Sequence, residues 1–451
     1  MFYQTRNTTI LRDLGDGLIM RHSTPADASN LAEFNARVHS ENGPDQPDWK
    51  VAAWTRDLLE RPHPTFDVGD FTIVEDTASG KIVSSLNLIS QTWSYAGVTF
   101  GVGRPELVGT LPEYRNRGLV RAQFEVVHQW SAQRGELVQA ITGIPYYYRQ
   151  FGYEMALDLD SGRFGYKPNI PELADGQAEP YQIRPAVEAD LGFIGSLYET
   201  ACQRYKVSCV WDEALWRYEL VGKSKQNVDR LEVCVIQTPD SSRVGFLAHP
   251  HYNWKEGALV AMAFEIAPGH SWAAVTPTVI RYLAATGEAY AAQSGGTGLG
   301  SFGLWLESGH PVYEVVHTRL PSVLRPYAWY LRVPDLPAFI RRITPALEKT
   351  LEASSFAGYT GELKLTFYRG GLKLSFGKGR LSGVEAWKPE PHSYSGDAAF
   401  PDLIFLKLLF GYRSLDELGY AFPDCLWKND EAYGLLNALF PKLPSCILAV
   451  S

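Results

Sequence analysis

The spacing of apolar and polar positions divides the chain into elements, and two of its segments start alike. Residues 18–27 read LIMRHSTPAD and residues 182–190 read QIRPAVEAD. In each, a short apolar run ends at an arginine, Arg21 or Arg184, with Ala-Asp at the same offset (Ala26-Asp27, Ala189-Asp190). An Asp there can cap a following helix by accepting backbone N–H bonds. The predicted helices are ASNLAEFNARVHS and LGFIGSLYETACQRY. A domain-sized repeat fits this double start, as does chance similarity in so short a match.

After the first start, residues 71–74, 82–89, 98–101 and 107–111 read as strands. Residues 119–133 read as a helix, because Leu119, Ala122, Val126, Val127 and Trp130 recur at about 3.6 residues per turn. A strand over 137–142 and a short aromatic helix over 145–151 follow. Helix, antiparallel-looking strands, then strand–helix–strand makes an α/β sandwich with at least one parallel pair. Residues 160–180, rich in Gly, Pro and Asp, read as a linker. A second unit runs on to about residue 330, with a helix-like stretch over 276–290 and the strand FGLWLES. A third begins near Val333. There 336–351 is helical, Pro337 fits a first turn, and Pro345 is expected to kink or end the helix. Leu363, Leu365 and Phe367, then Leu372, Leu374 and Phe376, alternate about Gly370-Gly371 as a hairpin. FPDLIFLKLLFGYRSLDEL and EAYGLLNALF supply two apolar helices. The fold class is α/β (α+β), in three units.

Length and charge narrow the function. At 451 residues the chain exceeds one ordinary core. A formal net charge of −8 argues against a nucleic-acid surface and favours the approach of cationic amines. Five scattered cysteines without a C-x-x-C pair fit free thiols in a reducing compartment. The N-terminus lacks a signal-peptide pattern, and no run of about 18 apolar residues suggests a membrane span, so a cytoplasmic protein is expected. No metal site is expected. The ten histidines, from His22 to His392, show no H-x-x-x-H spacing, and His249 and His251 flank Pro250 in a turn. No G-x-S-x-G elbow or Walker A sequence is present.

The candidate chemistry begins with VGTLPEYRNRGLVR, residues 108–121. A strand leads through Pro112 into Arg115, Asn116, Arg117, Gly118, Leu119, Val120 and Arg121, which open the predicted helix. Backbone N–H groups at a helix start have no intrahelical partner, and with the helix dipole they form an anion site. Gly118 admits a close ligand, and three arginines offer charge-assisted donors. A solvated basic helix start accounts for the same residues. GIPYYYRQFGYEM, residues 143–155, follows. A tyrosine hydroxyl is a proton donor at neutral pH, suited to a departing thiolate. Tyr146 and Tyr147 read rather as core and rim aromatics.

R-N-R-G-L-V and Y-R-Q-F-G-Y, about 30 residues apart and separated by helix and strand, resemble the GNAT superfamily of acetyl-CoA-dependent acetyltransferases. The closer likeness is to the enhanced intracellular survival (Eis) type, two tandem GNAT folds followed by a sterol-carrier-protein-like domain. That resemblance implies a catalytic GNAT domain over 1–160, a degenerate second over 161–332 and a sterol-carrier-like α+β domain over 333–451. It implies that the strand Val108, Gly109 and Thr110 bonds the pantetheine arm of acetyl-CoA and aims an N–H at the thioester carbonyl. The loop from Arg115 to Arg121 then holds the pyrophosphate; Arg115 and Gly118 match the family pattern, while Val120 fills a place that pattern gives to Gly or Ala. Tyr148, immediately before R-Q-F-G-Y, matches the general acid, and the carboxylate of Ser451 matches the base. The ending LPSCILAVS departs from the family, whose members commonly end in an aromatic residue. The second unit's EIAPGHSWAAVTPTVIRYL has Gly269 but no basic cluster, so it reads as a non-catalytic wall of the substrate cleft. The resemblance also implies a homo-oligomer, a hexamer. The alternative is a lipid- or small-ligand-binding assembly protein with vestigial acetyltransferase folds.

Overall fold

The computed structural model describes residues 10–296, 298–390 and 396–451; His392 falls outside them. The N-terminal unit is built on strands β1 (Ile10–Gly15), β2 (Leu18–His22), β3 (Phe71–Asp76), β4 (Lys81–Tyr95), β5 (Val98–Thr110), β6 (Val138–Ile141) and β7 (Glu154–Leu159). β1 to β5 form an antiparallel meander, and β6 joins β5 in parallel. The middle of β4 is buried on both faces because each face is covered. Helices α1 (Ala28–Val38) and α2 (Trp49–Glu60) lay Leu31, Phe34, Trp54 and Leu58 against Phe71, Ile73 and Ile89. On the other face, α3 (Leu119–Gln133) sets Phe124 and Val127 against Leu86 and Leu88. The two expected strands at 98–101 and 107–111 are one strand with an irregular register near its end, because β4 is long enough to pair with both. Helix α2, absent from the expected elements, starts after Asp48, a cap residue visible in the sequence whose carboxylate accepts the Lys50 N–H at 2.9 Å.

The repeated start has one geometry in both units, though not the expected one. Asp27 does not cap α1. Its carboxylate turns back to take both arms of Arg21, at 2.9 and 2.8 Å, and the Thr24 N–H at 2.8 Å. Asp190 does the same with Arg184, at 2.7 and 3.0 Å, and with the Val187 N–H. The Arg21 guanidinium, buried, needs a bidentate acceptor more than the helix end needs one extra cap, and the half-buried Arg184 keeps the same pairing. Burial alone would push the Asp27 carboxyl up. The Arg21 and Thr24 hydrogen bonds outweigh it and hold the group below the ordinary aspartate value. This carboxylate therefore stabilises the fold above its unfolded pKa, and the contribution disappears as pH falls through the lower folded value. Asp27→Asn leaves the buried Arg21 with Glu75, at 2.7 Å, as its remaining carboxylate, and loss of the charged hydrogen bonds to Asp27 is expected to destabilise the protein by about 2 kcal/mol at neutral pH. The deficit should shrink in acid, as measured by denaturant midpoints at both pH values.

The two units exchange strands. Directly after β7, Gly162–Gly165 crosses into the second unit and pairs between Ser301–Leu304 and Ser322–Leu324. This part of the expected linker is thus a strand. In return, Tyr327–Arg332 enters the first sheet between β6 and β7. The second unit otherwise holds helix α4 (Leu191–Cys202), the antiparallel strands Gln182–Pro185, Leu231–Gln237, Arg243–Pro250 and Ala263–Ile266, and the long helix Trp272–Gln293.

In the third region, Leu336–Glu352 continues as one helix through Pro345. Burial of Phe339, Ile340, Ile343, Ala346, Leu347 and Leu351 on one face outweighs the roughly 3 kcal/mol a helical proline costs. The hairpin pairs Gly361–Thr366 with Gly371–Gly377, burying Leu363, Leu365, Leu372 and Leu374. The stretch expected as one helix over 400–418 splits into Phe405–Leu409 and Leu415–Ala421, with Gly411 at φ 75° between them. The last residues then run back: Ser445–Cys446 pairs with Val207–Cys209, which pairs with the end of β4.

Candidate active site

β5 and β6 share only the pairs Val102↔Val138 and Gly103↔Gln139, although β5 continues to Thr110 and β6 to Ile141. Beyond Gly103 the strands splay, and β5 turns an unpaired edge toward the gap. On its other edge a bulge interrupts the ladder. The register passes from Asn87↔Glu106 to Ser85↔Gly109, so Leu107 and Val108 face Leu86 alone, and Leu107 takes φ 51°. Such a bulge re-aims backbone groups. The Val108 side chain packs in the same cluster as Tyr148. Gly109 and Thr110 close the strand, held by Ser84 Oγ at 2.9 and 2.7 Å.

The chain then passes through Pro112–Tyr114 to Gly118, which sits at φ 75° as the N-cap of α3, with Asn116 also left-handed at φ 63°. Ala122 is the first residue of α3 whose N–H finds a backbone acceptor, Gly118 O. The N–H groups from Asn116 to Arg121 donate to no backbone group among the described residues. Six consecutive free donors at a helix N-terminus make an anion nest. Arg115, Arg117 and Arg121 are exposed, and none is paired with a carboxylate among the described residues. Arg115 reaches Thr110 O at 3.3 Å, Arg117 lies over the Tyr114 ring, and Arg121 bonds Gln150 at 3.0 Å. That last bond ties the loop to the aromatic segment.

The aromatic segment is a 3₁₀ turn, Tyr147–Phe151, rather than an α-helix. Tyr148 is 4% exposed and packs edge-on to Phe124, Tyr147, Tyr153 and Tyr330. Burial first, then the Glu106 carboxylate and neighbouring tyrosines, pushes its hydroxyl above the ordinary phenol value, so it stays protonated. Among the described residues that hydroxyl has no hydrogen-bond partner. Tyr147 is half-buried in the cluster, as expected, whereas Tyr146 is 74% exposed and so belongs to the rim alone. Gly143 sits at φ 127°, and a Cβ there would stand 3.3 Å from the Tyr148 oxygen. Gly143→Ala is expected to lower stability by about 1–3 kcal/mol through backbone strain, read by denaturant unfolding, and to reduce turnover by displacing that ring.

The chain end enters the same region from the opposite side. Trp211 Nε1 donates to Leu448 O at 2.7 Å, while Gln91 Nε2 and Arg104 donate to Val450 O at 2.9 and 2.7 Å. Ser451 is buried, with its Oγ accepting from Lys223 Nζ at 2.9 Å. A cavity of about 290 Å³ opens here between the two units. Its walls include Arg104, Thr142, Trp329, Tyr252 and Ser451, with the carboxylates of Asp160, Glu219 and Asp229. Thr142 is the residue before Gly143, so the wall that holds the chain end adjoins the place where the Tyr148 hydroxyl lies. Asp160 is pushed up to about 6 by burial. Arg104 and Glu106 pair at 2.6 Å on the splayed part of β5.

Residues 20–156 match the family described as acetyltransferase (GNAT) domain. The chain carries a GNAT acetyltransferase domain. No curated protein matches the chain. Solved structures share its whole architecture. A probable N-acyltransferase from Enterococcus faecalis aligns at TM-score 0.62 and 14% identity, over 96% of this chain and 100% of its own. A GCN5-related N-acetyltransferase from Kribbella flavida aligns at 0.58 and 20%, over 96% and 98%. Eis1 from Mycobacterium abscessus aligns at 0.57 and 14%, over 95% and 98%. At these identities the likeness is one of fold. Within the GNAT domain, the strand end at Val108, Gly109 and Thr110 and the loop from Arg115 to Arg121 are adjacent in the chain, and Gln150 links that loop to the Tyr148 turn. Ser451 joins the cavity beyond Gly143. The residues that hold it, Gln91, Arg104 and Lys223, carried no motif. Gln91 and Arg104 stand in strands that hold several other polar residues, so nothing in the sequence set them apart.

Among the described residues the second unit shows no equivalent nest. Its long helix starts after Ser271 in IAPGHSW, where Gly269 takes φ 88° but no arginine or lysine is near in sequence. Among the described residues no helix is long and apolar enough to cross a membrane.

Proposed function

We propose that this protein transfers an acetyl group from acetyl-CoA to a primary amine by direct attack, in the N-terminal GNAT domain. The observation that carries the proposal is the run of free N–H groups from Asn116 to Arg121 beside three unpaired guanidinium groups, at the foot of a splayed parallel pair. A diphosphate is the ligand such a nest suits. The unpaired edge of β5 suits the amide-bearing arm of coenzyme A.

In this reading the loop from Arg115 to Arg121 binds the diphosphate, and Val108, Gly109 and Thr110 align the arm. Acetyl-CoA supplies an activated acyl group as its thioester. A backbone N–H at the bulge stabilises charge developing on the carbonyl oxygen. Tyr148, kept protonated by burial, delivers its proton to the departing sulfur. The Ser451 carboxylate receives the proton from the attacking amine. The acidic walls at Asp160, Glu219 and Asp229 raise the local concentration of ammonium acceptors. We read 161–332 as a second GNAT unit that walls the cleft, and 333–451 as a sterol-carrier-like domain that returns the chain end to it.

The test is release of coenzyme A thiol from acetyl-CoA across a panel of primary amines, with Tyr148→Phe as control. Amine-dependent release by the wild-type protein alone supports the proposal. Absence of release with every amine, from protein that binds coenzyme A, contradicts it.

A further inference from the structure

The chain ends in a socket whose parts come from both units. Lys223 is 2% exposed and its ammonium has three donors, each of them used. One goes to Glu219 Oε2 at 2.6 Å, one to the Asp229 carbonyl at 3.0 Å and one to Ser451 Oγ at 2.9 Å. Glu219 is itself pinned, because its other oxygen accepts the Leu231 N–H at 2.6 Å. The lysine therefore has one position, and the terminal hydroxyl completes it. From the first unit, His63 Nδ1 accepts the Thr65 N–H at 3.1 Å, which leaves its other nitrogen as the one that carries the proton. That nitrogen, buried and without another partner, lies beside the Ser451 main chain. One residue earlier, Gln91 and Arg104 clamp the Val450 carbonyl.

We propose that Lys223 is a positioning residue that fixes the terminal carboxylate through the Ser451 hydroxyl, so that the non-catalytic unit sets the geometry of the base. The inference rests on the reading of that carboxylate as the base. It also gives the departure at the last position a physical reason. The socket is polar, lined by an ammonium, a carboxylate and an imidazole, and a hydroxyl satisfies it where an aromatic ring would leave Lys223 with a buried donor unmet. The charged and titratable groups around the chain end are Lys223, Glu219, Asp229 and Tyr252 from the second unit and Asp160, Arg104 and His63 from the first, with Glu106 paired to Arg104 behind them.

Ser451→Ala, Ser451→Thr, Lys223→Met and a chain extended by one glycine after Ser451 separate the possibilities, each assayed for kcat, KM and the pH dependence of kcat. Ser451→Ala and Lys223→Met should each lower kcat about tenfold or more, since small misplacements of a reacting group are costly, with the acetyl-CoA KM unchanged. The acidic limb of kcat should move to higher pH, because the carboxylate drifts from the cation in Ser451→Ala and loses it in Lys223→Met. Ser451→Thr, which restores the hydroxyl, should recover wild-type kcat within about twofold, and the extended chain should be nearly inactive. If the extended chain is inactive while Ser451→Ala keeps wild-type kcat and pH profile, the socket proposal is overturned and the carboxylate base stands. If the extended chain keeps full kcat, the base reading fails and takes the proposal with it.

Discussion

Tyr148→Phe is expected to lower kcat about a hundredfold or more, the usual cost of losing a positioned proton donor. The acetyl-CoA KM should stay within about twofold, since the ring and not the hydroxyl packs against Phe124 and Tyr330. The protein should fold normally, because the hydroxyl has no partner to strand among the described residues. Steady-state thiol release at saturating amine measures the effect. The raised hydroxyl pKa adds a second expectation: the alkaline limb of the wild-type profile should not come from Tyr148, which remains protonated through neutral and mildly basic pH. Wild-type kcat in the variant would remove this residue from the mechanism.

Gly118→Asp is expected to weaken coenzyme A binding about a hundredfold or more, since a carboxylate aimed into a diphosphate nest costs several kcal/mol of like-charge repulsion. The position suits the test. A Cβ built on Gly118 meets nothing within 4 Å, and Asp is among the side chains that tolerate the left-handed backbone found there. The melting temperature should therefore change little while affinity falls. Gly118→Asn, with the same shape and no charge, should lose far less. Equal losses in the two variants would point to the backbone rather than to charge.

The parts of this site that lie within a short stretch of chain were legible in the amino-acid pattern. Helix α3 was legible to both its ends, because its apolar period runs unbroken from Leu119 to the turn that closes it. The arginines beside Gly118 and the tyrosines before Arg149 stood out as local clusters. What escaped was set by distance along the chain. Tyr327–Arg332 enters the first sheet long after β7 ends at Leu159, and no local pattern marks that exchange. The Lys223–Ser451 contact spans 228 residues in the same way. Pro345 misled for the opposite reason, because a local rule was overridden by a buried helix face that only the tertiary fold supplies.

Because every step assigned to the N-terminal domain depends on where the diphosphate sits, calorimetric titration of the wild-type protein with coenzyme A and, separately, with pantetheine tests the account most directly. The nest of amides from Asn116 to Arg121 predicts that coenzyme A binds about a hundredfold or more tighter than the arm without its phosphates. Equal affinity for the two ligands would contradict it.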